Sequence, residues 1–91
     1  NIIIDCSHAN SGKDPDRQVV VCRDVAYQVA NGEHSIKGLM LESHLVAGNQ
    51  KVVPGQNLTY GQSITDACMD WDNTAALLED LADSVRSRRS A

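Results

Sequence analysis

Apolar positions along the chain fall into short unbroken runs and longer amphipathic stretches, and the two alternate. Ile2-Ile3-Ile4 opens the chain as a β-branched run, which predicts a buried strand over residues 2–7 in a sheet covered on both faces. His8 to Lys13 then reads as a polar loop. Asp14-Pro15 predicts a helix start, with Asp14 as the N-cap and Pro15 at the first helical position. Val21, Cys22, Val25, Ala26 and Val29 recur at spacings of three and four and form one apolar stripe, while Arg17, Asp24, Gln28 and Asn31 fall largely off it. Asn31-Gly32 ends that helix. A second strand runs from Ile36 to Ser43, and a right-handed crossover is expected between the two strands.

Residues 44–62, with Pro54, Gly55 and Gly61, form a long loop of the kind that is functional or mobile in compact domains. Ile64 to Cys68 predicts a third, short strand. Asp72 caps a last helix from Asn73 to Arg88, with Leu78, Leu81, Ala82 and Val85 as its apolar stripe and Glu79, Asp80 and Asp83 facing water. The order is therefore β-α-β-loop-β-α, an α/β pattern with no internal repeat or linker. Three parallel strands with two helices correspond to about three-eighths of a (β/α)8 barrel, a fold that typically takes about 250 residues. Standing alone they would leave sheet edges and one sheet face uncovered. Asn1 opens directly on a strand, so a fragment of a longer protein is expected.

Composition narrows the picture in a few places. At 91 residues the chain is one domain at most and its core is small. A hydrophobic content of 42% excludes a disordered chain, and the absence of Phe leaves the core to Val, Leu, Ile and Ala. A net charge of −4 argues against a general nucleic-acid-binding surface. The basic cluster Arg86, Arg88 and Arg89 lies at a predicted helix end, where cations suit the dipole. No apolar run approaches the roughly 20 residues needed to span a bilayer. The first strand is too short, and lacks the basic flank, for a secretory signal; Asn57-Leu58-Thr59 is then a chance sequon. Cys6, Cys22 and Cys68 are odd in number and lack metal-site spacing, which predicts free thiols in a reducing compartment and a cytoplasmic protein.

The candidate chemistry collects where the apolar runs stop. Gly38, Met40 and Glu42 alternate with Leu39, Leu41 and Ser43, so if the leucines face the helices Glu42 faces the other way. Asp66 can point the same way from the third strand, and His8 lies just past the end of the first. Parallel strands are about 4.8 Å apart, so their C-terminal ends can converge. One imidazole and two carboxylates meeting there would offer a mixed nitrogen and oxygen site for a divalent transition metal. The alternative is two ordinary rim carboxylates and a histidine capping a strand end. His44 could be a further ligand, but reads rather as a partner behind such a site or a loop histidine, and His34 is a solvated turn residue. Cys6 and Cys68, near strand ends, read as buried structural thiols. Lys13 reads as a solvated lysine, although it could meet a phosphate. Neither a Gly-rich phosphate loop nor a nucleophile elbow is present.

Three words extend this reading: Asp5-Cys6-Ser7-His8-Ala9-Asn10-Ser11, Glu42-Ser43-His44-Leu45-Val46-Ala47-Gly48-Asn49-Gln50, and Tyr60-Gly61-Gln62-Ser63-Ile64-Thr65-Asp66-Ala67-Cys68. Together, in this order, they resemble the C-terminal end of the microbial class I 3-deoxy-D-arabino-heptulosonate 7-phosphate (DAHP) synthases, also called phospho-2-dehydro-3-deoxyheptonate aldolases. The similarity runs through nearly the whole chain. It implies that residues 1–91 are the last three strands and associated helices of a TIM barrel. It also implies a metal-dependent transferase that condenses phosphoenolpyruvate with erythrose 4-phosphate and releases phosphate, opening the shikimate pathway. By motif match, His8, Glu42 and Asp66 would be its His, Glu and Asp ligands to a divalent metal (Mn, Fe, Co or Zn) that acts as a Lewis acid. The family's Cys ligand lies on an early strand, and Cys6, Cys22 and Cys68 match no such motif. The segment that assembles subunits and binds feedback amino acids lies upstream as well. The resemblance thus implies a homo-oligomeric parent and a fragment inactive by itself. Two rivals stand beside it: a non-catalytic metal-binding module, and an interaction piece that docks onto a partial barrel.

Overall fold

The computed structural model describes residues 1–90. Its elements are β1 (Ile2–Asp5), α1 (His8–Ser11), α2 (Pro15–Ala30), β2 (Ile36–Met40) and α3 (Trp71–Ser90). β1 and β2 pair in parallel, with Ile4 opposite Leu39 and Asp5 opposite Met40. A helix joins two neighbouring parallel strands, as the alternation predicts. α2 begins and ends where its sequence says it should. Pro15 holds the first position, the Asp14 side chain accepts the Asp16 N–H at 3.0 Å, and the Asn31 N–H closes on the Tyr27 carbonyl.

The core lies between α2, α3 and one face of the strand pair. Cys6, Cys22, Met69 and Leu77 are buried together with Ile4, Leu39 and Leu41 around them, and Val25, Val29 and Ile36 form a second cluster. Leu39 of β2 and Leu41 just past its end therefore do face the helices. The opposite face is open. Ile2 and Ile3 are exposed, the latter at 74%, so the first strand is not covered on both faces as its sequence suggests.

Several expected boundaries move. β1 stops at Asp5 and not at residue 7, because the Asp5 carboxylate takes the Ser7 N–H at 2.9 Å and bends the chain into the one-turn α1 where a loop was expected. β2 stops at Met40 and not at Ser43. No strand forms over Ile64–Cys68. Ser63 Oγ accepts the Thr65 N–H and folds a side-chain turn, which leaves Ile64 exposed. Only isolated bridges remain there, pairing Ser43 with Met69, Gly48 with Cys68 and Asn49 with Ser63.

The long loop is present as expected, and it is held by side chains. Gln50 donates to the Thr59 and Gln62 carbonyls and accepts the Thr59 N–H. Gly61 closes it at φ +79°, where a Cβ would lie 2.8 Å from that of Leu45. Residues 51–60 are all exposed. The molecule is accordingly elongated, with a radius of gyration of 15.2 Å, against about 12 Å for a compact chain of this length.

The last helix starts two residues earlier than its sequence suggests, and Asp70 caps it in place of Asp72. Asp70 Oδ1 accepts the Asn73 N–H at 2.9 Å and its carbonyl accepts the Thr74 N–H and hydroxyl. The inward stripe is Thr74, Leu77, Leu81 and Val85, while Leu78 and Ala82 face out. Asp70→Ala should lower the free energy of unfolding by about 1 kcal/mol in a urea titration. Asp72→Ala should change it by less than about half as much, and the reverse order would assign the cap to Asp72.

Candidate metal centre

The site is built where the two strands end. The ladder continues one step past β1, with the Cys6 N–H donating to the Met40 carbonyl at 2.9 Å, and both chains then turn away. α1 lifts His8 over the strand ends. Its ring sits between carboxylates on both sides: Nδ1 lies 2.8 Å from Asp5 Oδ2, and Nε2 lies 3.0 Å from Glu42 Oε1 and 3.6 Å from Asp66 Oδ2. The Ser7 hydroxyl also donates to Glu42 Oε1. Asp66 comes from just past the Ser63 side-chain turn, beyond the long loop, where no strand forms. The segment behind it is fastened by the paired Gly48 and Cys68 backbone bonds and by the Asn49 amide on the Thr65 carbonyl.

The donor atoms of His8, Glu42 and Asp66 all lie within 4.8 Å of one another. Metal bonds to imidazole nitrogen and carboxylate oxygen are about 2.0–2.2 Å long, so donors around one ion stand about 3.0–3.5 Å apart at right or tetrahedral angles. The observed 3.0 and 3.6 Å match that spacing. The chemistry matches too, since three carboxylates converge on a single imidazole and a cation would balance them. The hydrogen bond from Nδ1 to Asp5 is the support that a metal-binding histidine uses to turn its other nitrogen outward. These three residues could therefore hold a metal ion.

The same surroundings govern protons. The hydrogen bond to Asp5 holds the His8 imidazole above its ordinary value of 6.5, with smaller contributions from Glu42 and Asp66. The same bond holds Asp5 below 3.8. Without a metal, the contact from Nε2 to Glu42 needs a proton on that nitrogen. With a metal, the proton gives way to the ion. Burial pushes all three thiols up, Cys22 to about 11. All three are buried and free, as their sequence positions suggest, and none belongs to the donor group.

The remaining sequence candidates are not drawn in. His44 is exposed and its Nδ1 accepts the Leu45 N–H at 2.8 Å, so it is a loop histidine. His34 and Lys13 are exposed. Two residues that sequence reasoning passed over matter more. Asp5 orients His8. Gln18 is 1% exposed and bonds the Glu42 backbone on both sides, accepting from N–H at 2.9 Å and donating to C=O at 3.2 Å. A signal for Gln18 was available: it lies four residues before Cys22, on the apolar stripe of α2, where a polar residue needs a partner.

Comparison with known proteins bears on this geometry. The family model described as "DAHP synthetase I family" matches residues 1–79. The Phe-sensitive phospho-2-dehydro-3-deoxyheptonate aldolase of Escherichia coli K12 is 54% identical over 88 residues, covering 97% of this chain and 25% of the relative. The phospho-2-dehydro-3-deoxyheptonate aldolase of Corynebacterium glutamicum is 50% identical over 97 residues, covering 99% of this chain and 26% of the relative. The solved structure of the phospho-2-dehydro-3-deoxyheptonate aldolase from Francisella tularensis SCHU S4 superposes with a TM-score of 0.90 at 46% identity, over 97% of this chain and 25% of that one. The chain spans about a quarter of the length of these curated relatives.

Proposed function

The chain belongs to the DAHP synthetase I family, and from that membership and the site geometry we propose that it contributes the metal-binding rim of a phospho-2-dehydro-3-deoxyheptonate aldolase. The observation that carries the reading is the convergence of His8, Glu42 and Asp66 beyond the C-terminal ends of β1 and β2. That is the end of a (β/α)8 barrel where active sites sit. β1 and β2 are then adjacent barrel strands, and other strands of the full-length protein cover Ile2 and Ile3. The substrates are phosphoenolpyruvate and erythrose 4-phosphate, the products DAHP and phosphate, and the setting is the cytoplasmic opening of aromatic biosynthesis. The full-length protein works as a homo-oligomer without nucleic acid or membrane.

His8, Glu42 and Asp66 would hold a divalent Mn, Fe, Co or Zn ion, which would supply Lewis-acid activation of a water or of the aldehyde oxygen. The chain's own groups prepare that site. Asp5 keeps the Nδ1 proton of His8 and leaves Nε2 facing inward. Ser7 takes one lone pair of Glu42 Oε1, which fixes the rotation of that carboxylate. Asp66 closes the group from a loop that is 53% exposed at its side chain, so it faces the side from which substrate arrives.

The test is consumption of phosphoenolpyruvate by the full-length protein in the presence of erythrose 4-phosphate, before and after chelation. Turnover should stop on chelation and return with Mn(II) or Co(II), and residues 1–91 alone should give none. Undiminished turnover after chelation, or comparable turnover by the 91 residues alone, would sink this reading.

A further inference from the structure

We propose that Gln18 is a positioning residue whose side-chain amide stands in for a paired strand at Glu42 and so sets where that carboxylate is presented. The inference rests on the metal reading above and adds a residue to it. The β1–β2 ladder runs out at Asp5 and Met40, with one further bond from the Cys6 N–H. Two residues on, the Glu42 peptide groups have left the ladder. Gln18 meets both of them, Oε1 on the N–H and Nε2 on the carbonyl, as a neighbouring strand would. The Met69 N–H reaches the same carbonyl at 2.9 Å from the other side.

Both ends of the Gln18 amide are spent on this one residue, and at 1% exposure the group has no water to fall back on. A buried amide is tolerated on those terms only when it is satisfied. Successive strand residues point to opposite sides, so a change of register or twist at Glu42 would swing its carboxylate away from His8. Gln18 prevents that from α2, where Cys22, Val25 and Val29 on the same stripe anchor the helix in the core. The packing of α2 is thereby transmitted to the direction of a metal ligand.

The experiment compares Co(II) binding by the full-length protein, native and Gln18→Met, through the visible absorption of the bound ion. Methionine keeps the volume and removes both hydrogen bonds. Partners behind a ligand cost about 10- to 100-fold in metal affinity, so Gln18→Met should bind at least about tenfold more weakly with a changed spectrum. Val85→Ala, a partly buried change on α3 at the second core cluster, should lower thermal stability yet keep Co(II) affinity within about twofold and the native spectrum. A Gln18→Met protein with native affinity and spectrum overturns the proposal while leaving the metal reading in place. A native protein that takes up no Co(II) overturns both. Should Gln18→Met fail to fold, deuterium exchange of the Gln18 side-chain amide in native protein decides. Coupling is reciprocal, so Zn(II) should slow that exchange by at least about threefold, and an unchanged rate overturns the proposal.

Discussion

His8→Ala is expected to cost the full-length protein more than about a hundredfold in affinity for Co(II) or Mn(II), since even a partner behind a ligand is worth about 10- to 100-fold. Turnover at fixed metal should fall in step. The structure predicts a graded series in place of a single loss. Asp5→Ala leaves the Nε2 donor in place but frees the ring to rotate and change tautomer, so it should cost about 10- to 100-fold. Glu42→Ala and Asp66→Ala should each resemble His8→Ala, with Asp66 the milder because its side chain is the more exposed of the two. His44→Ala and His34→Ala should leave affinity unchanged within about twofold, because neither ring joins the donor group. Calorimetric titration of each variant reads the series directly. If His44→Ala weakened binding as much as His8→Ala, the ligand set would have to be redrawn around the loop.

How much of this could be read from the sequence varied with how local the deciding force is. α2 was fully legible: the Asp14 cap, Pro15 and the closing Asn31-Gly32 all act within a few residues. α3 was legible as a helix but its phase was not. Leu77 and Leu78 are adjacent, and both 74-77-81-85 and 78-81-82-85 keep a three-and-four spacing. The choice is made at a distance, where Thr74 hydrogen-bonds Ser43 at 2.6 Å in the segment that follows β2. The third strand was misread because an apolar run says nothing about side-chain turns. Ser63 and Thr65 hold their own backbone, and Asn49 takes the Thr65 carbonyl that a strand neighbour would need.

The candidate donors were visible for two reasons: His8 and Glu42 follow apolar runs, and Asp66 is a carboxylate inside the short run from Ser63 to Cys68. Asp5 and Gln18 were not. Each acts through one tertiary contact, and spacing along the chain carries no record of which backbone or ring a polar side chain will meet.

Metal-free and metal-loaded protein should respond to acid with opposite sign. In the metal-free fold the hydrogen bond to Asp5, aided by Glu42 and Asp66, holds the His8 pKa above 6.5. A group raised on folding stabilises the fold fully below its unfolded value, and that contribution is lost as pH rises through the folded value. The metal-free protein should therefore lose some resistance to urea between about pH 6 and pH 8. The effect is modest, because the His8 side chain is 42% exposed and water screens it. Asp5, depressed below 3.8, holds its own contribution throughout that window and loses it only in stronger acid, so it does not reverse the slope.

Loading changes the bookkeeping at Nε2. The proton and the ion compete for one lone pair, so affinity should fall by up to about tenfold for each pH unit below the His8 pKa. A bound ion at free concentration c stabilises the fold by RT ln(1 + c/Kd), which grows as Kd falls, so the loaded protein should become more resistant to urea over the same rise in pH. Urea midpoints with and without saturating Co(II), at the two pH values, give both slopes. In His8→Gln the two slopes should converge, because the atom over which proton and metal compete is gone. Slopes of the same sign in native protein would mean that the ion does not touch His8 Nε2, and the site would lose its only nitrogen donor.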